Sequence, residues 1–240
     1  MTIDRSPSPE LNPLDVDLAP DQEVSRIGTS STVKLFNIDR ELHIAEDASG
    51  GCGGKTWEAA SMLSDYVCSR DASYWEHRTK IIELGAGTGV VGFTIACVLE
   101  HHQTPSSSKV DITDLPVMVP VMELNATKNL SSSELCRMHI GDLSWGEPLG
   151  EEYTRSKPFD LVLCADCVYL EAAFEPLIRT LLELSDAHTE ILICSKKRRR
   201  ADKRFFTMLR KQFVVKDKAT QEMASLYFSP QRKHSQATVK

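Results

Sequence analysis
Apolar and polar residues alternate through "TVKLFNIDRELHIAE" on both sides of a turn-like "NIDR", and that period of two predicts a short hairpin. The period then changes. Behind a loop carrying Gly50, Gly51, Gly53 and Gly54, the residues Trp57, Ala60, Leu63, Tyr66 and Val67 recur at helical spacing and predict an amphipathic helix over about 55 to 69. From there the two periods alternate. Strands are expected at "KIIEL", "KVDITD", "CRMHIGD", "FDLVLCAD" and "EILICS", and helices at "GVVGFTIACVLEHH", "PVMVPVMELNATKN", "EAAFEPLIRTLLELSDA" and "ADKRFFTMLRKQF". This alternation implies an α/β fold, a doubly wound, mostly parallel sheet with helices on both faces.

A chain of 240 residues, 41% of them hydrophobic, suffices for one well-buried domain. Residues 1–31, rich in Pro, Ser, Asp and Glu and without either period, are expected to form a disordered tail. The domain is expected over 32–228 and a poorly ordered tail over 229–240. No segment approaches the roughly 18 apolar residues of a membrane span, and "MTIDRSPSPELNP" opens with charge and proline where a secretory signal is apolar. The seven cysteines are scattered singly, without the spacings of a disulfide framework or a zinc site, so no metal is expected and a reducing compartment, the cytoplasm, is. A net charge of −6 argues against a nucleic-acid-binding surface, with one local exception in the basic run at 196–204.

In a doubly wound sheet, ligands sit where the first strand turns into its helix. That turn is "IIELGAGTGVVG", residues 81–92, where Gly85, Gly87 and Gly89 allow positive φ and close approach of a ligand to the backbone. Gly87, Gly89 and Gly92 match the weak dinucleotide pattern G-x-G-x-x-G, whereas read from Glu83 the run is acid-x-G-x-G-x-G, the form associated with S-adenosylmethionine. Asp114, closing the next strand, suits the ribose hydroxyls of either ligand and equally suits a helix N-cap before "LPVM". Trp145 fits a wall against adenine or a hydrophobic plug; Trp57 fits plain core or a lid over the ligand. The fourth strand ends in Ala165 and Asp166, followed by Tyr169, which places a carboxylate and a phenol at the pocket rim where a methyl acceptor approaches. Cys164 and Cys167 form a lone C-x-x-C on a buried strand, expected to be core packing. The run "SKKRRRADKR" suits docking of an acidic protein face, a localisation signal or RNA strip, or a solvated helix start.

"GCGGKTW", "IIELGAGTGVVG", "DITD", "DLSWGEPL", "LVLCADCVYLEAAFEPL" and "SKKRRRADKRFF" together resemble the seven-strand lysine methyltransferases of the methyltransferase-like 21 group, also called lysine methyltransferase family 16, over roughly 50–212. The resemblance implies a seven-stranded Rossmann-like sheet, S-adenosyl-L-methionine as cofactor, and a lysine of translation elongation factor 1-alpha as substrate. It further implies cofactor contacts at Trp57, Gly85, Ala86, Gly87, Asp114, Trp145 and Ala165, and the Asp-x-x-Tyr pair Asp166 and Tyr169 near the target lysine. The polar ending "MASLYFSPQRKHSQATVK" departs from the group, so its last strand is expected to be shortened, shifted to "SLYFS" or poorly ordered.

For such a transfer, a lysine with pKa near 10.4 needs roughly 4 kcal/mol to reach the free amine at neutral pH. Asp166 stabilises the charged form, so its expected role is capture and aiming, with the proton lost to water. Enzymes that methylate base amino groups carry prolines behind the acidic residue to clamp a flipped base; "DCVY" has none, which favours an aliphatic amine over nucleic acid. The competing functions are a nicotinamide-dependent oxidoreductase and a catalytically silent S-adenosylmethionine-binding scaffold. A monomer is expected.

Overall fold
The computed structural model describes residues 29–47, 52–196, 202–220 and 223–230. β1 (Thr29–Leu35) and β2 (Arg40–Glu46) form the predicted hairpin, joined through a short 3-10 turn at Phe36–Ile38. Val33, Leu35, Leu42 and Ile44 bury its inner face. Thr29–Ser31, expected in the tail, belong to β1. Their anchors are polar: the Ser31 hydroxyl donates to Glu46 at 2.9 Å and to Thr56 at 3.2 Å, and hydropathy carries no trace of such bonds.

The main sheet contains β3 (Lys80–Leu84), β4 (Lys109–Asp114), β5 (Met138–Asp142), β6 (Leu161–Ala165), β7 (Glu190–Ser195), β8 (Phe213–Thr220) and β9 (Met223–Pro230), in the order β5-β4-β3-β6-β7-β9-β8. The first five in that order run parallel, and β9 is antiparallel to both neighbours. The helices are α1 (Glu58–Cys68), α2 (Ala72–Trp75), α3 (Val90–His101), α4 (Val119–Asn129), α5 (Ser132–Leu135), α6 (Glu151–Ser156), α7 (Phe174–Leu184) and α8 (Asp202–Leu209).

Strand alternation builds two cores. Ile81, Leu161, Leu163, Leu192 and Cys194 face a core shared with α1, α3, α4 and the hairpin, while Ile82, Leu84, Val162, Ile191 and Ile193 face one shared with α6, α7 and α8. Because β4 and β5 extend the sheet to one side of β3 and β6 and β7 to the other, the crevice opens at the carboxyl ends of β3 and β6.

The C-terminal third corrects two expectations. The helix predicted over 201–213 stops at Leu209, and Phe213 already opens β8. Phe205, Leu209 and Phe213 are spaced by four and all buried, so a helical period reads straight through the change of element. β9 is neither shortened nor confined to "SLYFS"; it runs through Ser229 and Pro230, both expected in the tail. Pro230 sits at its last position, where a missing N–H removes no interior ladder bond.

Candidate active site
β3 leads into the glycine loop at Leu84, and Gly85, Gly87 and Gly89 adopt φ of 63°, 56° and 89°. A Cβ on Gly85 would lie 2.7 Å from the Trp145 ring and 3.0 Å from the Cys167 sulfur; one on Gly87 would lie 2.6 Å from the Gly53 carbonyl oxygen. Glycine is required here both by dihedral and by space. The Ala86 N–H donates to the Thr113 carbonyl at 3.0 Å, tying the loop to β4.

Two carboxylates hold this loop from below. Glu83 is buried, accepts the Gly92 N–H at 2.7 Å, and is pushed up to about 8, chiefly by burial. Asp114 accepts the Gly87 N–H at 2.7 Å and the Leu115 N–H at 2.6 Å; burial raises it, and those two N–H groups act against the rise. The N-cap position of the following turn is Leu115, so Asp114 serves the glycine loop and its own neighbour and is not the cap of a helix.

Trp145 leaves β5 in a turn that α7 fixes. The Gly146 N–H donates to the buried Thr180 hydroxyl at 2.8 Å, and Arg179 donates to the Gly146 carbonyl. The indole is half-buried, packed on the second core with one edge over Gly85, so it is both plug and loop wall.

Trp57 does not lie on the buried helix face where its spacing put it. It occupies the N-cap position of α1 with extended backbone, φ −90° and ψ 152°, and the Lys55 ammonium stands 5.6 Å from its ring centre. The segment 52–57 lies over the glycine loop: Gly53 meets Gly87, and the Thr56 hydroxyl is 3.1 Å from that of Thr88. Its base is held by the hairpin, through Thr56 N–H to Glu46 at 2.9 Å and Asp47 N–H to the Gly54 carbonyl at 2.9 Å.

Across the crevice, β6 ends at Ala165 and the next residue, Asp166, adopts φ 58°. A left-handed conformation at a residue with a Cβ costs about 1–2 kcal/mol. The Asp166 N–H donates to the Cys194 carbonyl at 2.7 Å, and burial together with the Asp166 charge pushes the Cys194 thiol up to about 12. Cys167 is buried and its thiol donates to the Leu84 carbonyl at 3.1 Å, stitching β6's exit to the end of β3. Its pKa lies well above the thiol range, through Cys164 and burial, as packing rather than redox chemistry requires. Tyr169 is half-buried three residues beyond Asp166, in a turn that Glu171 ties to Arg204 of α8. Lys196, at the exit of β7, pairs with Glu58 at 2.5 Å; residues 197–201 of the basic run lie outside the described residues.

Gly85, Ala86, Gly87, Asp114 and Trp145 thus form one connected cradle, with Trp57 beside it in the covering segment and Ala165, Asp166 and Tyr169 on the facing strand end. A glycine turn at positive φ after the central strand, with the buried carboxylate of the next strand end on its N–H, fits an S-adenosylmethionine cradle. Sequence reasoning passed over Thr56, Thr88, Asn125 and Thr180, short polar residues whose pairing is long-range. The sheet order with one antiparallel strand and this loop define a class I S-adenosylmethionine-dependent methyltransferase. A crystallised glycopeptide N-methyltransferase, MtfA, complexed with sinefungin shares this fold at a TM-score of 0.53 and 11% identity, covering 73% of this chain and 95% of its own.

The family described as lysine methyltransferase matches residues 37–212, and the chain belongs to that family. The protein-lysine N-methyltransferase EFM6 of Saccharomyces cerevisiae is 36% identical over 191 residues, covering 72% of this chain and 76% of its own. The EEF1A lysine methyltransferase 3 of Mus musculus is 36% identical over 171 residues, covering 70% and 67%. The protein is an S-adenosylmethionine-dependent protein-lysine N-methyltransferase. Among the described residues, no helix is long and apolar enough to cross a membrane.

Proposed function
We propose that the protein methylates a lysine of translation elongation factor 1-alpha, in the cytoplasm and as a monomer. The observation that carries the site is the juxtaposition across the β3/β6 crevice of a glycine cradle and a strained acidic residue, Asp166. The substrate reading draws support from the mouse relative named for that elongation factor.

Gly85, Ala86 and Gly87 would hold the cofactor through backbone, Asp114 its ribose hydroxyls, and Trp145, Ala165 and Trp57 its flanks. Bound there, S-adenosylmethionine supplies an electrophilic methyl carbon on a sulfonium. Asp166 attracts the incoming ammonium and aims its nitrogen, and Tyr169 orients the amine with its hydroxyl. A carboxylate favours the charged amine, so Asp166 is not the final base; the proton leaves to water before attack. Burial of the amine favours the neutral form, and alignment of nitrogen, methyl and sulfur supplies rate through orientation.

Tritiated methyl transfer into purified elongation factor 1-alpha tests this directly. The parent enzyme should label a lysine and Asp166→Ala should not. Label surviving Asp166→Ala would remove Asp166 from the site, and an unlabelled elongation factor beside another labelled protein would reject the substrate.

A further inference from the structure
The outer edge of β2 carries backbone groups that β1 does not reach. Two asparagines of α4 satisfy them. Asn125 accepts the Ala45 N–H at 2.8 Å and donates to the Ala45 carbonyl at 3.0 Å; Asn129 accepts the His43 N–H at 2.6 Å and donates to the His43 carbonyl at 3.1 Å. The match is geometric. Residues four apart on a helix are separated by about 6 Å of rise and residues two apart on a strand by about 6.7 Å, so the two amides imitate a neighbouring strand.

The second amide hydrogen of Asn129 stays within α4, on the Asn125 backbone carbonyl at 2.7 Å, and Asn125 differs there. Its second amide hydrogen goes to the Thr88 carbonyl at 3.1 Å, inside the glycine loop, and its side chain is fully buried. Ala45 directly precedes Glu46 and Asp47, which hold the base of the covering segment 52–57. One side chain therefore fastens the glycine loop and the root of the segment above it, the two walls between which the donor is read to lie.

We infer that Asn125 is a positioning residue for the methyl donor, setting the separation between the glycine loop and its cover through Thr88 and Ala45, whereas Asn129 anchors the hairpin alone. This rests on the reading of the glycine loop as the cofactor cradle. Both hydrogens of the Asn125 amide are engaged, on the Thr88 and Ala45 carbonyls, while its oxygen accepts the Ala45 N–H.

The test compares Asn125→Ala with Asn129→Ala by denaturation, by calorimetric S-adenosylmethionine binding, and by separate KM and kcat values. Both variants lose stability by releasing the β2 edge. Asn125→Ala alone should raise the donor's KM and Kd, about tenfold for a lost hydrogen bond in a buried loop, with kcat and the protein-substrate KM nearly unchanged. Should Asn125→Ala not fold, Asn125→Asp serves: its neutral acid keeps one acceptor and one donor, and its donor KM should climb as pH rises and the carboxylate faces two carbonyls. Equal donor KM changes in the two alanine variants, or a donor KM of Asn125→Asp that follows the parent across pH, would overturn the inference. A parent enzyme that binds the donor while Gly87→Ala does so equally well would instead indict the cradle itself.

Discussion
Gly87→Ala probes the cradle most sharply, because its Cβ has nowhere to go. The left-handed φ of 56° costs a residue with a side chain about 1–2 kcal/mol. The methyl would also stand 2.6 Å from the Gly53 carbonyl oxygen, a backbone atom, and overpacking of that kind costs about 1–3 kcal/mol. The cheapest relief is for the segment 52–57 to lift off the loop, against the hydrogen bonds that Thr56 makes to Thr88 and to the hairpin base. Donor binding must then restore the closed arrangement, so the clash, about 1–3 kcal/mol, reappears as a roughly 5- to 150-fold weaker Kd, while the dihedral cost lowers the stability of free and bound enzyme alike. Gly53→Ala is the control. Its Cβ meets the flexible end of Met118 at 3.1 Å, which can yield, and its expected Kd change is within about threefold. Calorimetric titration of both variants with S-adenosylmethionine reads the contrast. A Gly87→Ala enzyme binding as tightly as the parent, with an unshifted melting temperature, would refute the reasoning.

Glu83 makes stability depend on pH. Its folded pKa of about 8 exceeds its ordinary 4.5, so the folded chain holds this proton more tightly; the contribution of Glu83 to stability is fully present below 4.5 and is lost as pH rises toward 8, by about 1.4 kcal/mol per unit at most. Glu83→Gln should flatten that part of the profile in urea unfolding measured across pH, and an unchanged slope would mean the carboxyl is already ionised. At Asp166, Asn tolerates the left-handed backbone and should keep the parent's melting temperature and donor affinity while methyl transfer falls roughly 100-fold; Asp166→Val should in addition lose about 1–3 kcal/mol of stability. Thr180→Val leaves the Gly146 N–H without its acceptor, at about 1–3 kcal/mol, and should alter both donor affinity and the Trp145 fluorescence response, whereas Thr180→Ser restores them.

The strands at the centre of the sheet were legible to the residue. "KIIEL", "KVDITD" and "EILICS" have the observed bounds because short runs rich in Ile, Leu and Val are bounded on both sides by polar or glycine residues. The glycine loop was equally plain, since only positive φ explains Gly85, Gly87 and Gly89 after such a strand. Trp57 was misplaced because its spacing continues the helix backward into a residue that in fact has extended backbone. β8 was hidden by the spacing of Phe205, Leu209 and Phe213, which a helix and a helix-then-strand satisfy alike. The asparagine pair of "NATKN" carried no signal beyond its place on an expected helix, for its partners lie some eighty positions away on β2 and polarity alone cannot tell a water-facing amide from one paired with backbone.

The most direct measurement is a crystal structure of the protein with S-adenosylmethionine bound. The donor should lie across the carboxyl end of β3, its ribose on Asp114 and its methyl carbon directed at Asp166 across the crevice. A donor seated elsewhere, or an Asp166 carboxylate turned away from the methyl, would contradict the account.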